Sequence, residues 1–265
     1  MIRIKLMNKK KYIIITGANG YLSKFFSLKI CHSYNLILWD IKFDKHFINK
    51  LNKKSKDYKS KIIFQTTDIT NRQNICNNLS ELSDLNIYGL INCASLNPQP
   101  NVQYPDYFKN YEDFINVWNK ELDISLKGYM SCIYEVSKVM SKFKNGTIIN
   151  FSSDLGIISP NQNIYNKSSP KPIVYSISKH GIIGMSKYFS TLFSSKGIRV
   201  NSLCLGGVFN KKFDKKFLSQ FSKLVPIGRM SDLEEIISPI LFLLDEKNTY
   251  MTGHSLVIDG GRTIW

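Results

Sequence analysis

Short apolar segments alternate with helical segments along the whole chain, and this alternation constrains the fold most. The first apolar segment, Tyr12–Thr16, is rich in β-branched residues and runs into a glycine, as a buried strand of a parallel sheet does. Strands that alternate with helices form βαβ units, in which helices cover both faces of a parallel sheet. The pattern therefore predicts an α/β fold built on a doubly wound parallel sheet.

The predicted elements follow one another without a linker, an internal repeat or a low-complexity tract, so residues 1–265 are expected to form a single domain. Strands are predicted at 12–16, 36–39, 62–65, 89–92, 146–151, 198–203 and 255–258. Helices are predicted at 22–33, 71–82, 114–143, 175–195 and 233–244, and 42–59 is predicted to be a loop with some helix. Irregular segments near 97–111, 154–174 and 208–225 are expected to be substrate loops, because ligands bind beyond the carboxyl ends of parallel strands.

Composition excludes several classes of protein. With 43% hydrophobic residues the chain can bury a core, which argues against intrinsic disorder. The five cysteines and four histidines are scattered without ligand spacing, so neither a metal site nor a secreted disulfide framework is expected. No segment approaches the roughly 18 apolar residues of a membrane span, and the basic N-terminal segment lacks a signal-peptide apolar run. We expect a soluble cytoplasmic protein with no membrane partner.

The net charge of +16 is unusual and has two interpretations. It can attract an acidic partner such as a phosphorylated substrate or a nucleic acid. However, the lysines are spread along the whole length and accompany many Asn, Ile, Phe and Tyr residues, the set that A/T-rich codons supply. The compositional interpretation is therefore favoured, and no nucleic-acid partner is expected.

The turn after the first predicted strand is rich in glycine. Such a turn lets the backbone approach a pyrophosphate, and the following helix offers free N–H groups and a partial positive charge. The expected cofactor-binding residues here are Gly17, Asn19, Gly20, Tyr21 and Leu22. Asp40 follows at the end of the second predicted strand, where a carboxylate accepts hydrogen bonds from ribose hydroxyls and repels a 2′-phosphate. This favours NAD over NADP, although Lys42 keeps NADP possible.

Tyr175 and Lys179 are the strongest chemical feature. They are four residues apart in a predicted helix, so they share one face. An ammonium beside a phenol favours the phenolate and lowers its pKa, which would let Tyr175 exchange a proton with a substrate near neutral pH. Ser153, at the end of a predicted strand, can hold the same substrate oxygen by a hydrogen bond. These three residues are the predicted catalytic group.

Taken in order along the chain, these motifs resemble the short-chain dehydrogenase/reductase family. The resemblance covers essentially the whole length and is carried by residues 16–20, 68–69, 92–94, 150–153, 175–179, 198–201, 206–208, 226–229 and 259–261. It implies a Rossmann-type sheet of about seven strands, hydride transfer between a nicotinamide and a carbon bearing oxygen, and a homodimer or homotetramer. It also implies that Lys179 holds the nicotinamide ribose, and it adds further cofactor-binding residues: Asp68, Ile69, Asn92, Cys93, Ala94, Tyr175 and Val208.

The chain departs from the family pattern at several places. The glycine turn is one residue shorter than in most single-domain members. Ser125 stands where the family has an asparagine that holds a water of the proton relay, and we expect Ser125 to take part in that relay. The spacing from Ser153 to Tyr175 is longer than usual. Tyr165 has the usual spacing, but Ser169 stands where the lysine is required, which favours Tyr175.

The segment 154–174 and the ending 261–265 are similar to a bacterial subgroup associated with surface-glycan and flagellin modification. The resulting expectation is an NAD(H)-dependent oxidoreductase that interconverts a hydroxyl and a carbonyl on a sugar-like or phosphorylated substrate, such as a sugar nucleotide. One alternative is a 3-oxoacyl-thioester reductase that uses NADPH. A second alternative is a dinucleotide-binding protein without catalytic activity.

Overall fold

The computed structural model describes residues 10–96, 111–165 and 170–265, and they form the predicted α/β architecture. A seven-stranded sheet has the order β3-β2-β1-β4-β5-β6-β7, with every pair parallel. The strands are β1 (Tyr12–Thr16), β2 (Asn35–Asp40), β3 (Ile62–Thr66), β4 (Ile87–Asn92), β5 (Gly146–Ser153), β6 (Ile198–Leu205) and β7 (Ser255–Ile258). The fold class is thus confirmed.

The direction of winding reverses at β1, which pairs with β2 on one side and with β4 on the other. The connections from these neighbouring strands leave on opposite faces of the sheet and open a crevice at its carboxyl edge. In doubly wound sheets this reversal is where ligands bind.

Both faces of the sheet are buried, as the apolar strands require. Side chains of β1 alternate between the faces: Ile14 packs into one core with Tyr129 and Ile182, whereas Ile13 and Ile15 pack into the other. All three isoleucines are fully buried. The period of two in a strand thus distributes one apolar run between two cores.

Eight α-helices cover these faces within the described residues. They are α1 (Tyr21–Ile30), α2 (Lys45–Asp57), α3 (Arg72–Ser80), α4 (Tyr111–Leu122), α5 (Tyr129–Ser141), α6 (Ile173–Phe193), α7 (Lys215–Ser222) and α8 (Ile237–Leu244). None of the described helices has both the length and the hydropathy that a transmembrane segment needs.

Two segments contain more helix than was predicted. The segment 42–59 is mostly α2, which Asp44 caps by accepting a hydrogen bond from the backbone N–H of Phe47. Only Phe47, Leu51 and Ser55 of α2 are buried, and although they are spaced four residues apart, the helix has too few apolar residues among its lysines to stand out in the sequence. In the segment 208–225, α7 is likewise capped by Asp214. The predicted loop 97–111 lies outside the described residues except for Tyr111, which begins α4.

The long predicted helix 114–143 has an interruption. Between α4 and α5, residues Asp123–Gly128 form a π-helical turn. Such turns are rare and are found mostly at functional sites. The turn contains Ser125.

Candidate active site

The glycine turn joins β1 to α1 at the carboxyl edge of the sheet. Gly17 has φ +63°, and a Cβ there would lie 2.6 Å from the Cα of Ala94, so only glycine fits this approach of the turn to the end of β4. Gly20 precedes α1, whose first turn has neither a capping side chain nor an acidic residue. The N–H groups at the start of α1 are therefore available to an anion.

The carboxyl ends of β2 and β3 hold the next predicted residues. Asp40 accepts a hydrogen bond from the backbone N–H of Asn19 at 2.8 Å, which fixes the glycine turn beside β2. Asp68 accepts from the backbone N–H and hydroxyl of Thr70, at 2.9 and 2.7 Å. Ile69 is buried in the core. All lie on the same edge as the turn.

Asn92 lies in a buried polar network that crosses the sheet. Its amide donates to Oδ1 of Asn150 at 2.9 Å, and the Asn150 amide donates to Ser186 at 2.8 Å. The side chain of Asn92 therefore joins β4 to β5. The Thr16 hydroxyl accepts from the backbone N–H groups of Cys93 and Ala94, which holds the end of β4 against the turn.

Ser153, Tyr175 and Lys179 meet at one cavity of about 390 Å³. Ser153 ends β5, and Tyr175 and Lys179 are one turn apart on α6. The Lys179 ammonium lies 5.4 Å from the centroid of the Tyr175 ring and donates a hydrogen bond to the backbone carbonyl of Phe151 at 3.2 Å. Tyr165 also lines this cavity but follows a short 3-10 turn, away from α6.

The pKa of Tyr175 lies well above its ordinary value in this structure. Burial raises it most, a hydrogen bond with Ser153 lowers it, and the carboxylates of Asp154 and Glu121 raise it further. The prediction that Lys179 lowers the pKa of this phenol below its ordinary value is therefore wrong for this arrangement. The cause is that partial removal of the phenol from water and the negative charges of Asp154 and Glu121 both disfavour the phenolate.

A buried ion pair supports Ser153. Arg262 donates to Oδ2 of Asp154, and the two side chains are only 4% and 3% exposed. Oδ1 of Asp154 accepts from the Ser153 hydroxyl at 2.7 Å and from the backbone N–H of Leu155 at 2.8 Å. Arg262 thus fixes the orientation of Asp154, and Asp154 fixes that of Ser153.

The segments predicted as substrate loops pack against each other beside the cavity. Ile164 belongs to a small apolar cluster with Phe217 and Phe221 of α7. Lys171, from the segment before α6, places its ammonium 3.8 Å from the centroid of the Tyr175 ring. Burial lowers the pKa of Lys171 to about 8, although the negative charge of Asp154 acts to raise it. The cavity therefore has an aromatic wall and a cationic side chain near Tyr175.

The predicted residues divide into three positions. Those that line the cavity are Gly20, Tyr21, Leu22, Cys93, Ser153, Tyr175, Lys179 and Val208. Those that lie near its edge or behind it are Gly17, Asn19, Asp40, Asp68, Ile69, Asn92 and Ala94. Ser125 is fully buried and donates to Oε1 of Glu121 at 2.6 Å. Burial raises the pKa of the Cys93 thiol to about 11, so this cysteine is not a thiolate at neutral pH.

The arrangement fits a dinucleotide. The uncapped start of α1 and the close approach at Gly17 suit a pyrophosphate, and Asp40 stands where a ribose would lie. The sequence interpretation missed four charged residues at the site: Glu121, Asp154, Lys171 and Arg262. Glu121 had one signal, because it lies four residues before Ser125 and therefore on the same helical face.

We predict that Asp154→Asn destabilises the protein by about 3–5 kcal/mol, because it leaves the Arg262 charge buried without a partner. Urea denaturation measures this. The double substitution Asp154→Asn with Arg262→Met removes both charges and is expected to recover much of the loss. The single variant Arg262→Met completes the comparison. If the double variant loses as much free energy of unfolding as the two single variants together, the two residues are not coupled.

Comparisons with known proteins agree with this geometry. The family model described as Enoyl-(Acyl carrier protein) reductase matches residues 32–263. Post-translational flagellin modification protein A of Campylobacter coli is 26% identical over 96% of this chain and 99% of its own. The 3-oxoacyl-(acyl-carrier-protein) reductase of Thermotoga maritima is 32% identical, but the match covers only 56% of this chain and 57% of that protein.

Solved structures extend the likeness to the whole fold. A short chain dehydrogenase from Leptospira borgpetersenii with bound NAD+ superimposes with a TM-score of 0.81 and 29% identity, over 97% of this chain and 94% of that chain. Related structures contain NAD+ or NADP, the two cofactors that the family uses. From the family model and this architecture, the chain belongs to the short-chain dehydrogenase/reductase family of oxidoreductases.

Proposed function

We propose that the protein is an NAD(H)-dependent oxidoreductase that interconverts a hydroxyl and a carbonyl on a sugar or sugar nucleotide, in the synthesis of a surface polysaccharide or flagellin glycan. The observation that supports it most is the meeting of Ser153, Tyr175 and Lys179 at one cavity with the uncapped start of α1. A proton-transferring group and a dinucleotide cradle then share one space, as hydride chemistry needs.

Each residue has one task in this proposal. A bound nicotinamide supplies or accepts hydride at the substrate carbon. Tyr175 gives a proton to the substrate oxygen in the reducing direction, and its raised pKa keeps the phenol protonated at neutral pH. Ser153 holds that oxygen by a hydrogen bond, for which its hydroxyl proton must turn from Oδ1 of Asp154 to the substrate. Lys179 holds the nicotinamide ribose.

Two observations favour a sugar-like substrate. The flagellin modification relative matches over nearly its entire length, whereas the match to the acyl-carrier-protein reductase covers about half of each chain. The cavity also combines aromatic rings, such as Phe213 and Phe217, with polar and charged side chains such as Asn210 and Lys171. The polar and charged groups can bind the hydroxyls or phosphates of a sugar nucleotide, and the aromatic rings can pack against its apolar faces.

The 3-oxoacyl-thioester reductase is the second candidate, because the Thermotoga maritima relative is the more identical one over the part that it matches. It would use NADPH. Asp40 opposes this, because its carboxylate stands at the end of β2, where a 2′-phosphate would meet a like charge.

The cofactor preference can be tested by thermal unfolding. We expect NAD+ and NADH to raise the melting temperature and NADP+ and NADPH to raise it much less, because a ligand that binds only the folded state stabilises it. A shift with NADPH alone would favour the thioester reductase. If none of the four raises the melting temperature, the oxidoreductase proposal fails.

The catalytic assignment can be tested with Tyr175→Phe. We expect turnover in a screen of sugar nucleotides to fall by about 10²- to 10⁴-fold, because the proton donor is lost, while NADH still binds. Tyr165→Phe is the matched control, since Tyr165 lines the same cavity away from α6. If Tyr165→Phe causes the larger loss of turnover, the proton-transferring residue has been assigned wrongly.

We also infer that the protein forms a homodimer or homotetramer. Large apolar side chains are exposed on neighbouring helices, among them Tyr134 on α5 and Tyr188 and Leu192 on α6. Light scattering after size exclusion should give two or four times the monomer mass of 30.5 kDa. The substitution Tyr188→Glu, which places a charge on this surface, is expected to lower that mass, and a monomeric wild type would contradict the inference.

A further inference from the structure

Glu121 is a buried carboxylate in the last turn of α4. It is only 1% exposed. Oε1 accepts hydrogen bonds from the hydroxyls of Ser125 at 2.6 Å and Ser178 at 3.2 Å, and Oε2 accepts from the backbone N–H of Leu96 at 3.3 Å. One side chain therefore connects the π-helical turn, α6 and the segment that follows β4.

The position of Ser178 gives this contact its importance. Ser178 directly precedes Lys179 and lies three residues after Tyr175. Its single hydroxyl proton is shared between Oε1 of Glu121 at 3.2 Å and the backbone carbonyl of Tyr175 at 2.9 Å. The bond from Ser178 to Glu121 thus fixes the turn of α6 that carries both predicted catalytic side chains. It joins residues that are 57 positions apart in the sequence.

Lys179 needs a counter-charge. Its side chain is 4% exposed, and no carboxylate among the described residues lies within ion-pair distance of its ammonium. Burial lowers the pKa of Lys179, and the negative charge of Glu121 is foremost among the influences that raise it. A buried cation without an opposite charge tends to lose its proton.

We propose that Glu121 is a positioning residue for the active site, which holds the turn between Tyr175 and Lys179 through Ser178 and keeps Lys179 in its ammonium form. Ser125, where the family has an asparagine, then acts by donating its hydrogen bond to Glu121. The inference rests on the proposed function in assigning roles to Tyr175 and Lys179. It adds a residue to which no role is assigned above.

Other titratable groups also face Glu121. Its charge raises the pKa values of Tyr129 on α5 and of Tyr175 on α6, and it acts on Lys171 in the segment before α6. The Tyr129 hydroxyl is buried without a hydrogen-bond partner among the described residues. Of these groups, only Lys171 is a second base whose loss of a proton can be mistaken for that of Lys179.

The test is the pH dependence of NADH binding, followed by the fluorescence of bound NADH. Binding is expected to weaken at alkaline pH as Lys179 loses its proton. In Glu121→Gln this weakening should begin about one pH unit lower, because the substitution keeps the Oε1 acceptor but removes the charge. The same shift is expected in a Lys171→Met background, which removes the competing base.

Glu135→Gln is the matched control, since Glu135 on α5 is a second carboxylate of low exposure, which pairs with Arg72 of α3 and Lys138 of α5. It should leave the pH dependence unchanged. Glu121→Asp keeps the charge and should retain the wild-type dependence. If Glu121→Gln does not fold, the double substitution Glu121→Leu with Ser125→Asn replaces it and is expected to show the same shift.

The inference is overturned if a folded variant that lacks the Glu121 charge binds NADH with the same pH dependence as the wild-type protein. That result would leave the proposed function intact. Failure of the wild-type protein to bind NADH at any pH would instead overturn the proposed function, and the inference with it. A lower melting temperature alone would not support the inference, because a purely structural role for Glu121 has the same effect.

Discussion

The pairing of β1 with β2 on one side and β4 on the other is the constraint on which the site depends. It sends the chain in opposite directions from the middle of the sheet and opens a crevice between the two carboxyl ends, which none of the described helices covers. The glycine turn occupies that crevice, and Gly17 permits the approach of β4 that closes one side of it. The position of the cofactor side of the site is therefore a consequence of strand order, and side chains such as Asp40 add the choice between cofactors.

The proposed substrate side is built differently, from a group of charges in a small volume. The carboxylates of Glu121 and Asp154 and the cations Lys171, Lys179 and Arg262 surround or support Tyr175. In a medium of low dielectric each charge acts strongly on its neighbours, and a change in one alters the proton affinity of the others. The acidity of Tyr175 is therefore a property of the group, which explains why Lys179 alone does not determine it.

Residues whose partners are close in sequence were predictable, and residues whose partners are distant were not. Tyr175 and Lys179 could be paired from helical spacing, and Asp40 from its place at the end of a strand. The contact of Asp154 with Arg262 could not be predicted, because no periodicity relates residues so far apart. The helix α2 was underestimated for another reason: only Phe47, Leu51 and Ser55 of its thirteen residues are buried.

The ion pair between Arg262 and Asp154 also has a consequence for the order of folding. The two residues are 108 positions apart, and Arg262 reaches Asp154 only after β7 has joined the edge of the sheet. Contacts of such sequence separation form slowly, because the entropy of closing the loop opposes them. A chain with β1 to β6 assembled would carry Asp154 and Ser153 in place but without Arg262 to balance the charge. The environment of Ser153 is therefore complete only when the entire sheet has formed, and the proposed role of Ser153 in catalysis depends on an edge strand that lies far from it in the chain.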